Sequence, residues 1–216
     1  MNIRPRTITL ALILSASIAL GAAGCSRTAV PELQVDTSEG PVQGTKEGGV
    51  ISFKGIPFAA PPIGELRWRA PEPPLKRQQL MLADQYGKFC AQPNTSLLWF
   101  ELTSSSEDCL TLNVWTTAVG SAAKLPVMVW IHGGGYMQGS GNIPRLNSPA
   151  FAGAGVVLVT INYRLNAFGF FAHPDLSEAQ ANEAHANFGF LDAIASLQWV
   201  QENISGFGGD PDNITV

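Results

Sequence analysis

Leu125-Pro126-Val127-Met128-Val129-Trp130-Ile131 runs directly into His132-Gly133-Gly134-Gly135-Tyr136, and the reading of this stretch decides the fold. The first seven residues are continuously apolar instead of alternating, the pattern of a strand buried on both faces inside a parallel sheet. Three consecutive glycines remove every β-carbon, so the backbone can adopt positive φ and a ligand can approach its N–H groups closely. Such a loop holds an anion without a charged side chain. At the end of a parallel strand it lies on the carboxyl edge of the sheet, where open α/β folds bind ligands.

Working outward, Val156-Val157-Leu158-Val159-Thr160-Ile161-Asn162-Tyr163 is a second apolar run, expected beside the first in the interior. No strong helical period separates the two, so a long irregular crossover is expected. Leu110-Thr111-Leu112-Asn113-Val114-Trp115 alternates apolar and polar, which predicts a half-buried strand near the sheet edge. Leu33-Gln34-Val35 and Gly49-Val50-Ile51-Ser52-Phe53, broken by Gly40-Pro41 and Gly48-Gly49, predict a small antiparallel edge sheet at the start of the domain. Ile56-Pro57-Phe58-Ala59-Ala60-Pro61-Pro62 is expected to be an extended surface segment, because proline lacks the N–H that a central strand or helix interior needs. From Asn187, a plausible N-cap, Phe190, Leu191, Ile194, Leu197 and Val200 recur near helical spacing, and residues 206–212 end the helix. The apolar restart Ile214-Thr215-Val216 completes the rhythm of an α/β fold in one domain without internal repeats.

The 216 residues are 45% hydrophobic and 14% charged, which indicates a globular chain with much buried surface. A net charge of -4 and the absence of a Lys/Arg-rich run argue against a nucleic-acid partner. Residues 1–24 read as an export signal: Arg4 and Arg6 precede an apolar stretch from Ile8 to Leu20, too short to span a bilayer comfortably. Gly21-Ala22-Ala23-Gly24-Cys25 resembles a bacterial lipoprotein box, with Ala22 where leucine is usual; acylated Cys25 would then be the mature N-terminus. The alternative is ordinary cleavage nearby after a small residue. Residues 25–32 read as a tether. If Cys25 carries lipid, Cys90 and Cys109 are left either as a bridge that persists in an oxidising compartment or as two separate buried thiols.

Taken together, several stretches resemble the type-B carboxylesterases, the cholinesterase-like branch of the α/β-hydrolases. They are Gly55-Ile56-Pro57-Phe58-Ala59-Ala60-Pro61-Pro62-Ile63-Gly64-Glu65-Leu66-Arg67-Trp68, Glu107-Asp108-Cys109-Leu110-Thr111-Leu112-Asn113-Val114, the His-Gly-Gly-Gly loop, Asn162-Tyr163-Arg164, Phe168-Gly169-Phe170, and Asn187 through Gly208-Gly209-Asp210-Pro211. They follow the family's order and cover nearly all of residues 33–216, the N-terminal portion of such a domain. The resemblance implies that Gly134 and Gly135 supply two amides of an oxyanion hole, the third coming from the residue after the nucleophile. It implies a disulfide between Cys90 and Cys109 whose loop borders the substrate gorge, although Trp99 in that loop reads better as a surface contact. It also implies two buried ion pairs, Arg67 with Glu107 and Arg164 with Asp192. Thr111 replaces a common aromatic, and Asn166 stands where glycine is usual, a mild change because Asn tolerates the left-handed region.

The family's nucleophile sits in a Gly-x-Ser-x-Gly elbow, and no such pentapeptide occurs in these residues. In that chain order the acid and the histidine come later still. His132 therefore reads as a packing or loop-positioning residue, His173 as a turn residue and His185 as part of a polar loop. The expectation is the N-terminal part of an exported or lipid-anchored serine esterase, periplasmic or on the cell surface. Its substrate is a small carboxylic ester, hydrolysed through an acyl-enzyme. These residues are expected to be inactive by themselves. No metal or cofactor is implied, because no cluster has ligand spacing. A lipid on Cys25 would be the sole membrane link, and oligomeric state is not readable. Two other readings compete: a non-catalytic adhesion or binding relative of the same fold, and a truncated, non-functional product.

Overall fold

The computed structural model describes residues 33–94, 102, 104–120, 122–143, 149–179 and 186–216. The export signal, the whole tether with Cys25, Trp99 and His185 lie outside the described residues.

A six-stranded mixed sheet forms the centre. Its strands are β3 (Thr45–Glu47), β4 (Val50–Pro57), β8 (Thr111–Thr116), β9 (Leu125–Ile131), β10 (Val157–Ile161) and β11 (Gly209–Thr215), in the order β11-β9-β10-β8-β4-β3. The two apolar runs pair in parallel, Val157 opposite Val127 through Ile161 opposite Ile131, and β11 pairs in parallel on the other side of β9. β8 and β4 continue the sheet antiparallel. Alternation along the strands divides the core. Val127, Val129, Val157, Val159, Leu112 and Val114 face one side, while Met128, Trp130, Leu158 and Trp115 face the other.

The first face is covered by α4 (Phe188–Asn203) and the tight 3-10 turn after it, Ile204–Phe207. Phe207 anchors that layer, its ring edge-on to Phe53 at 4.8 Å and 5.9 Å from Trp199. Behind the second face lies the short helix α1 (Pro149–Gly153), which buries Ala152 against Trp115 and Leu158. Helices on both faces of a partly parallel sheet make an α/β architecture. Two short helices, α2 (Asn166–Phe170) and α3 (Pro174–Ala179), follow β10.

Five expectations are corrected. β8 is not near an edge: it lies between β10 and β4 and is almost wholly buried, Asn113 included. Its alternation is satisfied inside the protein, since the Asn113 amide donates to Gly141 O, Asn142 Oδ1 and Thr160 Oγ1, and its carbonyl accepts from Gly55 N–H. Residues 50–53 belong to this central sheet. The small N-terminal sheet is β1 (Gln34–Thr37), β2 (Gly40–Gln43) and β5 (Met81–Leu82), antiparallel between the first pair but parallel between β2 and β5. A further two-residue pair, β6 (Phe89–Cys90) and β7 (Ser105–Ser106), is parallel.

Ile56 and Pro57 are strand residues, and Ile56, Phe58 and Ala59 are buried instead of lying on the surface. Proline is accommodated because Phe58 N–H donates to Leu110 O on the β8 side. Pro57 nitrogen therefore faces the other side, where β3 pairs only as far as Ser52. Finally, Asn187 does not cap α4 with its side chain. It sits at φ 53°, and its backbone carbonyl accepts from Phe190 and Leu191 N–H. The helix is followed directly by the turn and by β11 from Gly209, so residues 209–212 are already strand.

Candidate active site

Because β9 and β10 are parallel, the loops after them emerge from the same sheet edge. Tyr163, two residues past β10, lays its ring on His132, one residue past β9, with centroids 4.4 Å apart and planes inclined by 16°. Its hydroxyl donates to His132 O at 3.0 Å. Burial, and to a lesser degree the nearby Tyr136, pushes the Tyr163 hydroxyl above its usual range, so it keeps the proton it donates. Burial lowers His132 to about 4, against an opposing contribution from its hydrogen bond to Gly133 O, so the ring is neutral at pH 7. A carbonyl accepts only from a protonated nitrogen. Nδ1, 3.0 Å from Gly133 O, therefore carries the hydrogen, and Nε2 is buried without a partner among the described residues. His132 is a packed loop residue here.

The glycines differ in what they require. Gly134 has φ 128°, and a β-carbon there would fall 1.8 Å from Gln138 O. Gly135 has φ 62° with open space around it, and Gly133 needs neither positive φ nor space. Gly134 O accepts from Met137 and Gln138 N–H at 3.2 and 3.3 Å, closing a tight turn. Asn166 N–H, at 2.7 Å, holds Tyr136 O from the β10 side. Among the described residues, neither Gly134 N–H nor Gly135 N–H donates a hydrogen bond.

Gly133, Gly134 and Gly135 line a cavity of about 410 Å³. Its opposite wall is the start of α4, with Gly189, Phe190 and Ala193. Two of its lining residues, Tyr136 and Phe190, meet Phe170 in a triangle of rings 5.2–5.4 Å apart. This site corrects part of the expected helix stripe: Phe190 and Ile194 are 47% and 51% exposed, whereas Val200 is buried as expected and Leu191 and Leu197 are half-buried; α4 also buries Phe188, Asp192, Ser196, Trp199 and Asn203.

Asp192 is fully buried and takes three bonds from Arg164: backbone N–H at 2.9 Å, Nε at 2.8 Å and Nη2 at 2.7 Å. Burial pushes the Asp192 carboxyl up, and these three donors pull against that shift. The pair ties the strand end that carries Tyr163 to the helix that walls the cavity. Arg67 and Glu107 also meet in a two-pronged contact, Nη2 to Oε1 at 2.6 Å, but their side chains are 39% and 21% exposed. The expectation of a buried pair there is corrected to a half-exposed one. Glu107 still holds the Arg67 guanidinium above its ordinary range.

The Cys90 and Cys109 sulfurs are bonded, joining the segment before the cavity loop to the start of β8. Beside the bridge Gln92 reaches Gly139, and behind it Ser140, Asn142, Asn113, Thr160 and Asn162 form a buried polar network. None of these side chains was legible as part of the site. For Asn113 and Asn162 the signal was their place inside apolar runs and inside stretches that resemble the family. Among the described residues no group of three or more His, Cys, Asp or Glu side chains is placed to hold a metal.

The family model for carboxylesterases matches residues 31–216. The chain belongs to the carboxylesterase family. It is 48% identical to the para-nitrobenzyl esterase of Bacillus subtilis (strain 168) over 185 residues, covering 84% of this chain and 37% of that protein. It is 44% identical to the fumonisin B1 esterase of Sphingopyxis macrogoltabida over 191 residues, covering 88% of this chain and 35% of that protein. A solved PNB esterase structure superposes with a TM-score of 0.76 at 44% identity, over 86% of this chain and 37% of that one. The carboxylesterase-family chain therefore has the α/β-hydrolase architecture and spans little more than a third of the length of these relatives.

Proposed function

We propose that the protein is a serine carboxylic ester hydrolase in which the Gly134 and Gly135 amides receive the negative charge of the tetrahedral intermediate. The observation that carries this reading is that Gly134 and Gly135, whose N–H groups have no acceptor among the described residues, lie on the carboxyl edge of the sheet and line a cavity of about 410 Å³. Acyl transfer moves charge onto the carbonyl oxygen, and amides already fixed at that place lower the barrier without reorganising. The rings of Tyr136 and Phe190 in the cavity lining, backed by Phe170, suit an apolar acyl or alcohol group. The substrate class is thus a small-molecule carboxylic ester, the class that the names of both relatives describe. The reaction runs through an acyl-enzyme that water then hydrolyses.

These 216 residues contain no Gly-x-Ser-x-Gly elbow, and by themselves they are not expected to turn over. We further propose export by residues 1–24 and lipid attachment at Cys25, tested by palmitate labelling that Cys25→Ala abolishes. For the reaction, the product of the complete gene is assayed on short-chain aryl esters, with a fluorophosphonate as active-site label. The expected result is turnover that the label abolishes. No turnover and no labelling would overturn the reading in favour of a binding protein on the same fold.

A further inference from the structure

We propose that Gln92 is a positioning residue for the glycine loop: its carboxamide splints Gly139 and so keeps the Gly134 and Gly135 amides aimed into the cavity. The inference rests on the reading of those amides as an oxyanion hole. Gln92 Nε2 donates to Gly139 O at 2.9 Å, and Gly139 N–H donates to Gln92 Oε1 at 2.9 Å. One side-chain amide thus satisfies both backbone groups of one residue, as a neighbouring strand would. Among the described residues Gly139 N–H and C=O have no other partner, and the next residue, Ser140, is fully buried.

The splint is itself anchored. Gln92 Nε2 also donates to Cys90 O at 3.0 Å, and Cys90 is fixed by its disulfide to Cys109. Between them, Ala91 O accepts from Asn166 Nδ2 at 2.9 Å, and the same Asn166 holds Tyr136 O through its backbone. The tripeptide Cys90-Ala91-Gln92 is therefore tied down at each residue. At its far end Gly139 lies directly beneath the first glycine: a β-carbon on it would fall 2.3 Å from His132 Nδ1 and 2.4 Å from Gly133 O. Packing this close leaves no slack, so a displacement at Gly139 passes to Gly133 and the turn beyond it. Among the described residues the turn itself is closed by two long bonds to Gly134 O, which alone do not fix its orientation.

The test uses the product of the complete gene with Gln92→Leu and Gln92→Glu. Leucine keeps the bulk and removes both bonds, whereas glutamate keeps the acceptor for Gly139 N–H and loses the donor. Hydrogen exchange over residues 132–140 reads the loop directly. Steady-state hydrolysis of a short-chain aryl ester reads its consequence. Gln92→Leu is expected to speed exchange in that segment and to lower kcat roughly tenfold or more while KM changes little, since a misaimed donor fails at the transition state. Gln92→Glu should fall between the leucine variant and the parent in both readouts. A merely structural role would lower the thermal midpoint and leave kcat of the folded fraction intact, with no graded recovery by glutamate; that result overturns the proposal. So does unchanged exchange over residues 132–140 in Gln92→Leu, whatever the activity. If Gln92→Leu does not fold, Gln92→Glu decides by the same two readouts. If the parent hydrolyses no ester, the functional reading fails, and the exchange comparison still decides whether Gln92 holds the loop.

Discussion

Gly134 and Gly135 sit side by side, yet they are glycine for different reasons. Gly135 needs the left-handed backbone alone, so Gly135→Ala should cost about 1–2 kcal/mol. Gly134→Ala adds a collision with Gln138 O to an unfavourable φ and should cost more, about 3 kcal/mol from strain and overpacking together. Urea denaturation of both variants checks the order, and equal costs would mean the turn relaxes freely. His132 makes a pH prediction. An unfolded histidine takes up its proton near pH 6.5, while the folded one does so only near 4. The unfolded state thus binds more protons between these values, and stability rises with pH across that window. The contribution is complete above about pH 6.5 and is lost as pH falls toward 4, up to about 3 kcal/mol. Denaturation midpoints measured from pH 4 to 7 should climb in the parent and climb less in His132→Phe.

At the scale of elements, the decisive join is between the end of β10 and α4. Asp192→Asn leaves the Arg164 guanidinium, only 3% exposed, without its counter-charge, and should cost about 3–5 kcal/mol. Replacing both residues by apolar ones of similar volume should recover most of that loss, which a double-variant denaturation series measures. Arg67→Ala should cost less and vary with salt, because water reaches that pair. The same elements show what could be read in advance. β9 and β10 were legible as neighbours, since nothing but a shared interior explains two long apolar runs. β8 was not, because a strand half in water and a strand whose Asn113 is satisfied inside produce the same alternation. α4 misled for the opposite reason. Its buried face carries Asp192, Ser196 and Asn203, each bonded, beside Trp199 and Val200, so Phe190 and Ile194 read as core while they lie at the surface, Phe190 in the cavity wall. The glycine loop was readable because its requirement is local. Gln92 was not, because its partner lies 47 residues away and no spacing announces it.

For the molecule as a whole, one covalent link and one sheet edge set the geometry around the cavity. The Cys90–Cys109 bridge closes a 19-residue separation, and its loss in a double serine variant should cost about 3 kcal/mol on the loop-entropy model, read as a lowered melting temperature. The edge is where the family's chemistry is proposed to occur, with the glycine loop after β9 across the cavity from the start of α4. The direct measurement is a crystal structure of the product of the complete gene inactivated by a phosphonate ester, whose tetrahedral phosphorus stands in for the acyl intermediate. An oxyanion hole built on these glycines places the charged phosphoryl oxygen within about 2.7–3.1 Å of both Gly134 N and Gly135 N. A phosphoryl oxygen bound by other donors, with both amides turned from it, would contradict that role.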